Sequence, residues 1–264
     1  MTGVHQERYR ALIEARVHDP GSLLQALVER RRRPLVGPDG RLLIIAADHT
    51  ARGMLAAGDD PLAVADRRTL LDRLVRALAM PGVDGVLASA DILEELAWLG
   101  ALDERLAIGT MNRGGIIGAR WELDDRMTAY DADHVADLGI VSLIEPLPYR
   151  TDDTGRAMLD PSDDALTKVV AIASGLGSTS SRTWLKIPGS DRMEQVAGAT
   201  SLPILMLGGD PGTNADRVFG RWEAAMQVPN VRGLVAGRAL LYPHGREVEE
   251  AVAHAARIVH GGAA

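Results

Sequence analysis

From Leu42 onward, hydrophobic and polar positions follow two alternating patterns. Short continuous apolar runs predict buried strands, and the segments between them carry apolar residues at helical spacing. The strands are predicted at 42–47, 85–89, 106–110, 140–144, 183–188, 204–207 and 231–236, and the helices at 61–80, 92–99, 131–138, 163–176, 214–226 and 246–259. Such an alternation predicts a parallel sheet covered on its outer face by helices.

The first 33 residues predict helices rather than strands, and Pro34 followed by the turn at 37–40 ends this region. We therefore expect an N-terminal helical extension, residues 1–36, packed on one main domain, residues 37–264. No internal repeat or low-complexity linker divides the main part of the chain.

Polar side chains follow nearly every predicted strand, which places candidate chemistry at the carboxyl ends of parallel strands. This arrangement favours an α/β protein of the (β/α)8 TIM-barrel type. A doubly wound sheet is the alternative. Against it, no GxGxxG follows the first strand, where Ala46, Ala47, Asp48 and His49 stand instead.

Composition narrows the possible partners. The 264 residues carry a net charge of −7, which indicates neither a nucleic-acid nor a membrane partner. The absence of cysteine excludes disulfides, cysteine metal sites and a thiol nucleophile. No run of 18 apolar residues and no apolar signal core occurs, so we expect a cytoplasmic protein.

Lys186 lies inside the predicted strand TWLKIP, on the face that it shares with Trp184. An amine taken out of water loses part of its preference for the charged form. A neutral amine is a nucleophile that can form a Schiff base with a carbonyl substrate. The alternative is a lysine at the strand's end that reaches solvent or an ion pair.

Three further groups of polar residues follow predicted strands: Asp48, His49 and Arg52; Asn112 and Arg113; and Glu145. A carboxylate beside an imidazole can move protons, although a loop salt bridge or a helix cap would have the same sequence. Asn112 and Arg113, followed by two glycines, fit either a substrate loop or a turn. Glu145 is either an acid/base group or a partner of Lys186.

Two glycine-containing strand ends, Gly208-Gly209 and Gly237-Arg238, close consecutive strands near the C-terminus. Glycine lets backbone N–H groups approach a ligand closely, and arginine adds a charged fork. In barrels, the loops after the last two strands often bind phosphate, so we predict a phosphate or similar anion site here. By contrast, Ser89 and Asp91 are predicted to cap the helix that follows them.

Taken together, these residues resemble the class I (Schiff-base) aldolase superfamily, in particular the barrels of the DhnA and deoxyribose-phosphate aldolase type. The stretches AADHTARG, MNRGGIIGARWELDDRMTAYD, ASGLGSTSSRTWLKIP and VRGLVAGRALLYP resemble an actinobacterial aldolase-like family associated with inositol catabolism. The resemblance covers nearly all of the chain from Leu42 onward.

The resemblance implies a role for each matched residue. Lys186 would be the Schiff-base lysine, with Asp48 and Glu145 as further catalytic groups. His49, Arg52, Asn112 and Arg113 would line the substrate pocket. Gly208, Gly209, Gly237 and Arg238 would form the phosphate site. It also implies a lyase of carbohydrate metabolism that cleaves or forms a carbon–carbon bond in a phosphorylated sugar derivative. It implies no metal or other cofactor, and a homo-oligomer.

One departure from that family concerns the number of strands. In these aldolases the lysine strand is the sixth of eight, whereas here it is the fifth of seven. One βα unit, the fourth, is therefore predicted to be missing between 138 and 140. We expect a gap or an irregular closure beside the strand that ends at Glu145, and a regular eight-stranded barrel would contradict this.

Two other functions fit the same sequence. The first is a metal-dependent lyase or isomerase that uses Asp48, His49, Glu145 and Asp91 around a divalent ion. The second is a non-catalytic barrel that binds a sugar phosphate. Candidate substrates of an aldolase remain deoxyribose phosphate, a deoxy-keto-gluconate phosphate, a ketose bisphosphate and a sulfonated sugar phosphate.

Overall fold

The structure, a computed structural model, describes residues 3–110, 137, 139–209 and 215–261. The helices are α1 (Gln6–His18), α2 (Gly21–Glu29), α3 (Arg67–Ala79), α4 (Ala90–Trp98), α5 (Asp163–Ser174), α6 (Met193–Ala197), α7 (Ala215–Ala225), α8 (Arg238–Leu241) and α9 (Val248–His260). The predicted helix at 131–138 lies outside the described residues except for Asp137.

Nine strands are described: β1 (Leu42–Ala47), β2 (Gly85–Ala88), β3 (Leu106–Gly109), β4 (Ser142–Ile144), β5 (Tyr149–Thr151), β6 (Ala157–Leu159), β7 (Thr183–Ile187), β8 (Ile204–Leu207) and β9 (Val231–Ala236). Seven of them form one sheet in the order β3-β2-β1-β9-β8-β7-β4. The pairs β1–β2, β2–β3, β7–β8 and β4–β7 are parallel. The predicted α/β class is confirmed.

The order of the sheet bears on the predicted missing βα unit. Within the described part of the chain, β4 and β3 stand at the two ends of the hydrogen-bonded order. The chain that joins them, from 111 to 136, lies outside the described residues. The missing unit and the closure of a barrel therefore stay predictions.

The first of two compact units comprises Met1–Arg113, Gly208–Phe219 and Leu234–Ala264. All six residues of β1 are buried, and the predicted apolar side of α3 is buried as well. Helix α3 begins at Arg67 and not at the predicted residue 61. The reason is local: the Asp66 carboxylate accepts a hydrogen bond from the Thr69 backbone N–H at 2.7 Å, which caps the first turn.

The second unit comprises Gly114–Leu207 and Gly220–Gly233. Its core includes Leu185 and Ile187, which are fully buried on β7. Helix α5 begins after Ser162, whose hydroxyl accepts a hydrogen bond from the Ala165 backbone N–H. The antiparallel hairpin of β5 and β6, which the sequence analysis did not predict, lies between β4 and α5 with all six of its strand residues exposed.

Candidate active site

Lys186 lies on β7, opposite Leu205 of β8 in the parallel register. Its neighbours along the strand, Leu185 and Ile187, point to the opposite face because side chains alternate along a strand. Only 4% of Lys186 is exposed, although lysine is almost never fully buried unless it is paired. The structure therefore places the one lysine of the predicted site in the core of the second unit.

The partner of this lysine is Glu145, the residue that directly follows β4. Its Oε2 lies 2.9 Å from the Lys186 Nζ, and the Glu145 side chain is 27% exposed. The contact follows from the sheet, since β4 pairs with β7 and Ile144 stands opposite Leu185. A buried ammonium and a half-buried carboxylate are thus held at hydrogen-bond distance, close enough for direct transfer of a proton.

In the first unit, Asp48 directly follows β1 and is 1% exposed. The Arg52 Nη2 lies 3.1 Å from its Oδ1 and 3.0 Å from its Oδ2. Arg52 was predicted to bind substrate, and the structure places it on Asp48. The four-residue spacing was the signal in the sequence, because one short helical turn brings positions i and i+4 together.

His49 and Gly237 also meet in the first unit. A β-carbon added at Gly237 would lie 2.4 Å from the His49 Cε1 and 2.4 Å from the Ala46 carbonyl oxygen. Both distances are far below van der Waals contact, so no other residue fits at 237 without moving its neighbours. The glycine is needed for close packing of the chain on itself, whether or not a phosphate binds nearby.

Two of the other three residues predicted for a phosphate site make hydrogen bonds within the chain. The Gly208 N–H donates to the Val235 carbonyl at 2.9 Å, as part of the sheet. Gly209 has a left-handed φ of +65°, and a β-carbon there would meet nothing within 4 Å. The Arg238 Nη1 donates to the Ala56 carbonyl at 3.3 Å. Gly209 is exposed and Arg238 is partly buried, while the amide of Gly208 is already used in the sheet.

Ser89 and Asp91 belong to a network of charges around α4. The Ser89 hydroxyl donates to the Asp91 carboxylate at 2.5 Å rather than capping the helix with a backbone contact, and Arg67 forms an ion pair with Asp91. Burial raises the pKa of Asp91, but the hydrogen bond from Ser89 and the charge of Arg67 outweigh it, so the pKa lies below its usual value. The predicted helix cap is therefore wrong, because no side-chain hydrogen bond caps the start of α4, and both residues instead take a structural role in this network.

Two predicted substrate residues, Asn112 and Arg113, lie outside the described residues. Within the part of the chain that the structure describes, no three residues among His, Asp and Glu are grouped as ligands of a metal ion. No described helix has both the length and the apolar character needed to cross a membrane.

Comparison with known proteins identifies the family. The sequence matches the Cgl0159-like family over residues 40–142 and 134–256. The chain belongs to the Cgl0159-like family. It is 39% identical to Cgl0159 from Corynebacterium glutamicum, whose crystal structure it matches with a TM-score of 0.90 over 97% of this chain and 98% of that one. No curated protein sequence matches the chain.

The Cgl0159-like chain also resembles more distant solved structures. An archaeal fructose 1,6-bisphosphate aldolase shares 17% identity, with a TM-score of 0.57 over 91% of this chain and 100% of that one. A second such structure, with its catalytic lysine bound to the carbinolamine intermediate, shares 18% identity, with a TM-score of 0.58 over 90% and 100% of the two chains. At these identities, the likeness shows an aldolase-like fold.

Proposed function

We propose that this protein is a Schiff-base lyase, an aldolase that makes or cleaves a carbon–carbon bond in a phosphorylated or otherwise anionic sugar derivative. The observation that carries the proposal is the buried Lys186 on a parallel strand, with the Glu145 carboxylate 2.9 Å from its amine. The aldolase-like fold supports it, since those distant relatives include one whose lysine is covalently bound to substrate.

Stability alone is a poor reason for such a pair. Moving two charges out of water costs several kcal/mol for each ion, and the attraction between them often does no more than offset this cost. A lysine retained in the core beside one carboxylate is therefore a candidate for chemistry.

In the proposed reaction, Glu145 accepts a proton from the Lys186 ammonium, which leaves a neutral amine and a carboxylic acid. The amine attacks the substrate carbonyl to form a carbinolamine. Glu145 then returns the proton to the carbinolamine hydroxyl, which departs as water and leaves an iminium ion. A base then removes the proton of the hydroxyl group on the β-carbon, and the bond between the α- and β-carbons breaks because the iminium accepts its electron pair. The products are an aldehyde and an enamine on Lys186.

Other residues enter the proposal from the resemblance. Asp48 would move protons during cleavage, and His49, Asn112 and Arg113 would contact the substrate. Gly209 and Arg238, with Gly208 and Gly237 as parts of the same loops, would bind the phosphate. A homo-oligomer is proposed on the same ground.

The experiment is reductive trapping. The protein is incubated with dihydroxyacetone phosphate, glyceraldehyde phosphate, acetaldehyde or deoxyribose phosphate, reduced with borohydride and analysed by intact and peptide mass spectrometry. We expect an adduct on the peptide that contains Lys186, and none there in Lys186→Met. Glu145→Gln should form the same adduct more slowly, since it cannot accept the proton of the amine.

The chain offers a matched control because it contains only two lysines, Lys168 and Lys186. Lys168 lies exposed on α5, so Lys168→Arg should leave trapping unchanged. An adduct that disappears in Lys168→Arg, or no adduct with any of the carbonyl compounds on folded protein, would refute the Schiff-base mechanism. A metal-dependent lyase or a non-catalytic sugar-phosphate-binding protein would then be the better interpretation.

A further inference from the structure

In the first unit, Asp48 and Arg52 form an ion pair whose carboxylate is buried. Asp48 is 1% exposed, and a carboxylate in such a place stays ionised only if a cation or hydrogen bonds replace its water. Arg52 supplies the cation, with one nitrogen within 3.1 Å of both carboxylate oxygens. The Arg52 side chain itself is 31% exposed, so the pair connects a buried acid to the surface.

The sequence builds this pair with one short turn. Residues Thr50–Arg52 form a single turn of 3₁₀ helix, in which the Arg52 N–H donates to the His49 carbonyl at 3.0 Å. Gly53 ends the turn with a φ of +68° and donates to the Thr50 carbonyl at 3.1 Å. A β-carbon at Gly53 would meet nothing within 4 Å, so the backbone conformation and not space requires the glycine.

Stability does not account for the pair. When one partner of an ion pair is buried, the attraction between the two charges often does no more than offset the cost of removing them from water. Asp48 is a buried acid that is paired with one cation at the carboxyl end of a parallel strand. This arrangement is typical of a group that transfers protons in catalysis.

We propose that Arg52 is a positioning residue, which holds the Asp48 carboxylate in a fixed orientation at the end of β1 so that it can accept and return a substrate proton. The inference rests on the proposed aldolase function and assigns Arg52 a role other than direct binding of the substrate. A substrate-binding arginine would act mainly on KM, whereas a positioning arginine acts mainly on kcat.

The test compares Arg52→Gln and Arg52→Lys with wild type, using the carbonyl compound that gives an adduct on Lys186. Both variants should form the adduct to the wild-type extent. We expect the kcat of Arg52→Gln to fall about 100-fold, the lower range for loss of a proton-transfer group, with KM changed less than threefold. Arg52→Lys, which keeps the charge without the planar fork, should recover part of kcat.

Gly53→Ala tests the same inference through the backbone. It strains the turn that holds Arg52, and we expect kcat to fall with trapping retained. Gly58→Ala is the matched control, since Gly58 also has a left-handed φ, +59°, with no atom within 4 Å of an added β-carbon. The control should keep the wild-type kcat and KM.

The outcomes separate the two proposals. If wild type forms no adduct, the proposed function fails and this inference fails with it. If wild type forms the adduct but the Arg52 variants keep the wild-type kcat, only the positioning role is refuted. If KM alone rises in Arg52→Gln, Arg52 binds the substrate and the inference is overturned. Circular dichroism and denaturant unfolding establish that each variant is folded.

Discussion

His260, the last residue of α9, carries the prediction with the clearest magnitude. Its Nδ1 lies 2.5 Å from the Asp39 carboxylate, and its Nε2 lies 3.0 Å from the Gly82 carbonyl and 3.3 Å from the Asp84 carboxylate. Asp84 is buried and also accepts hydrogen bonds from the Leu43 N–H at 2.7 Å and from an arginine, Arg33. The network therefore ties the end of α9 to β1 and to the loop before β2.

These contacts raise the pKa of His260 from 6.5 to about 9. The hydrogen bond to Asp84 is the largest cause, burial acts in the opposite direction, and the hydrogen bond to Asp39 raises the pKa further. The difference of about 2.5 corresponds to about 3 kcal/mol at about 1.36 kcal/mol per pKa unit. Because the pKa is raised in the folded state, this stabilisation is complete below pH 6.5 and is lost as pH rises from 6.5 to 9.

The perturbation is His260→Gln, which keeps a polar side chain of similar length and cannot titrate. The free energy of unfolding would be measured by urea denaturation at pH 6 and pH 9.5 for both proteins. We expect the wild type to lose about 2–3 kcal/mol more than the variant between the two pH values. Other titrating groups are common to both proteins and cancel in this difference.

His18→Gln serves as the control for loss of a histidine. His18 lies on α1 with a side chain that is 75% exposed, so its ion pair with Glu14 contributes little. The pH dependence of this control should match that of wild type. The reasoning is refuted if His260→Gln and wild type lose the same free energy between pH 6 and pH 9.5, within 0.5 kcal/mol or so of measurement error.

Three further predictions concern unfolding free energies measured by denaturant titration. Gly237→Ala should cost about 1–3 kcal/mol, since its β-carbon would collide with the His49 ring. Gly220→Ala is the matched control, because Gly220 lies in α7 with open space around the added carbon, and it should be neutral or stabilising by up to about 1 kcal/mol. Glu95→Ala should cost about 2 kcal/mol at pH 7, because it leaves two partly exposed arginines without their shared buried carboxylate. Burial, the largest cause, raises the pKa of Glu95 in the folded state, so the cost should be larger near pH 4 than at pH 7. Leu185→Ala, at a fully buried position, should cost about 2–5 kcal/mol, and a cost below about 1 kcal/mol would contradict the described core.

The strands were predictable from the sequence because a buried parallel strand is a continuous apolar run, and all seven predicted strands are in the sheet. Helix boundaries were less predictable. Pro61 suggested a first turn, but the Asp66 carboxylate sets the start of α3 by bonding to Thr69. The hairpin of β5 and β6 was missed because its short strands are exposed and lack a continuous apolar run.

For the candidate site, the sequence predicted where along the strands the polar residues lie, but not which side chains they contact. Lys186 and Glu145 stand 41 positions apart, and only the pairing of β4 with β7 places them 2.9 Å apart. The pair of Asp48 and Arg52 depends on a local turn, and its spacing was visible in the sequence. Gly237 was interpreted as part of an anion site, and the sequence could not show that the His49 ring fills the space beside it.

Because the chain contains only two lysines, chemical labelling of Lys186 can report how often the protein opens around it. An amine-acylating reagent meets only two lysine side chains, of which Lys168 is exposed and Lys186 is 4% exposed. Lys186 can be acylated only when its surroundings open, so its rate relative to that of Lys168 measures the free energy of local opening around β7. The acylated peptides that contain Lys168 and Lys186, measured in one mass spectrum, thus report the local opening of β7, the strand that would carry the covalent intermediate.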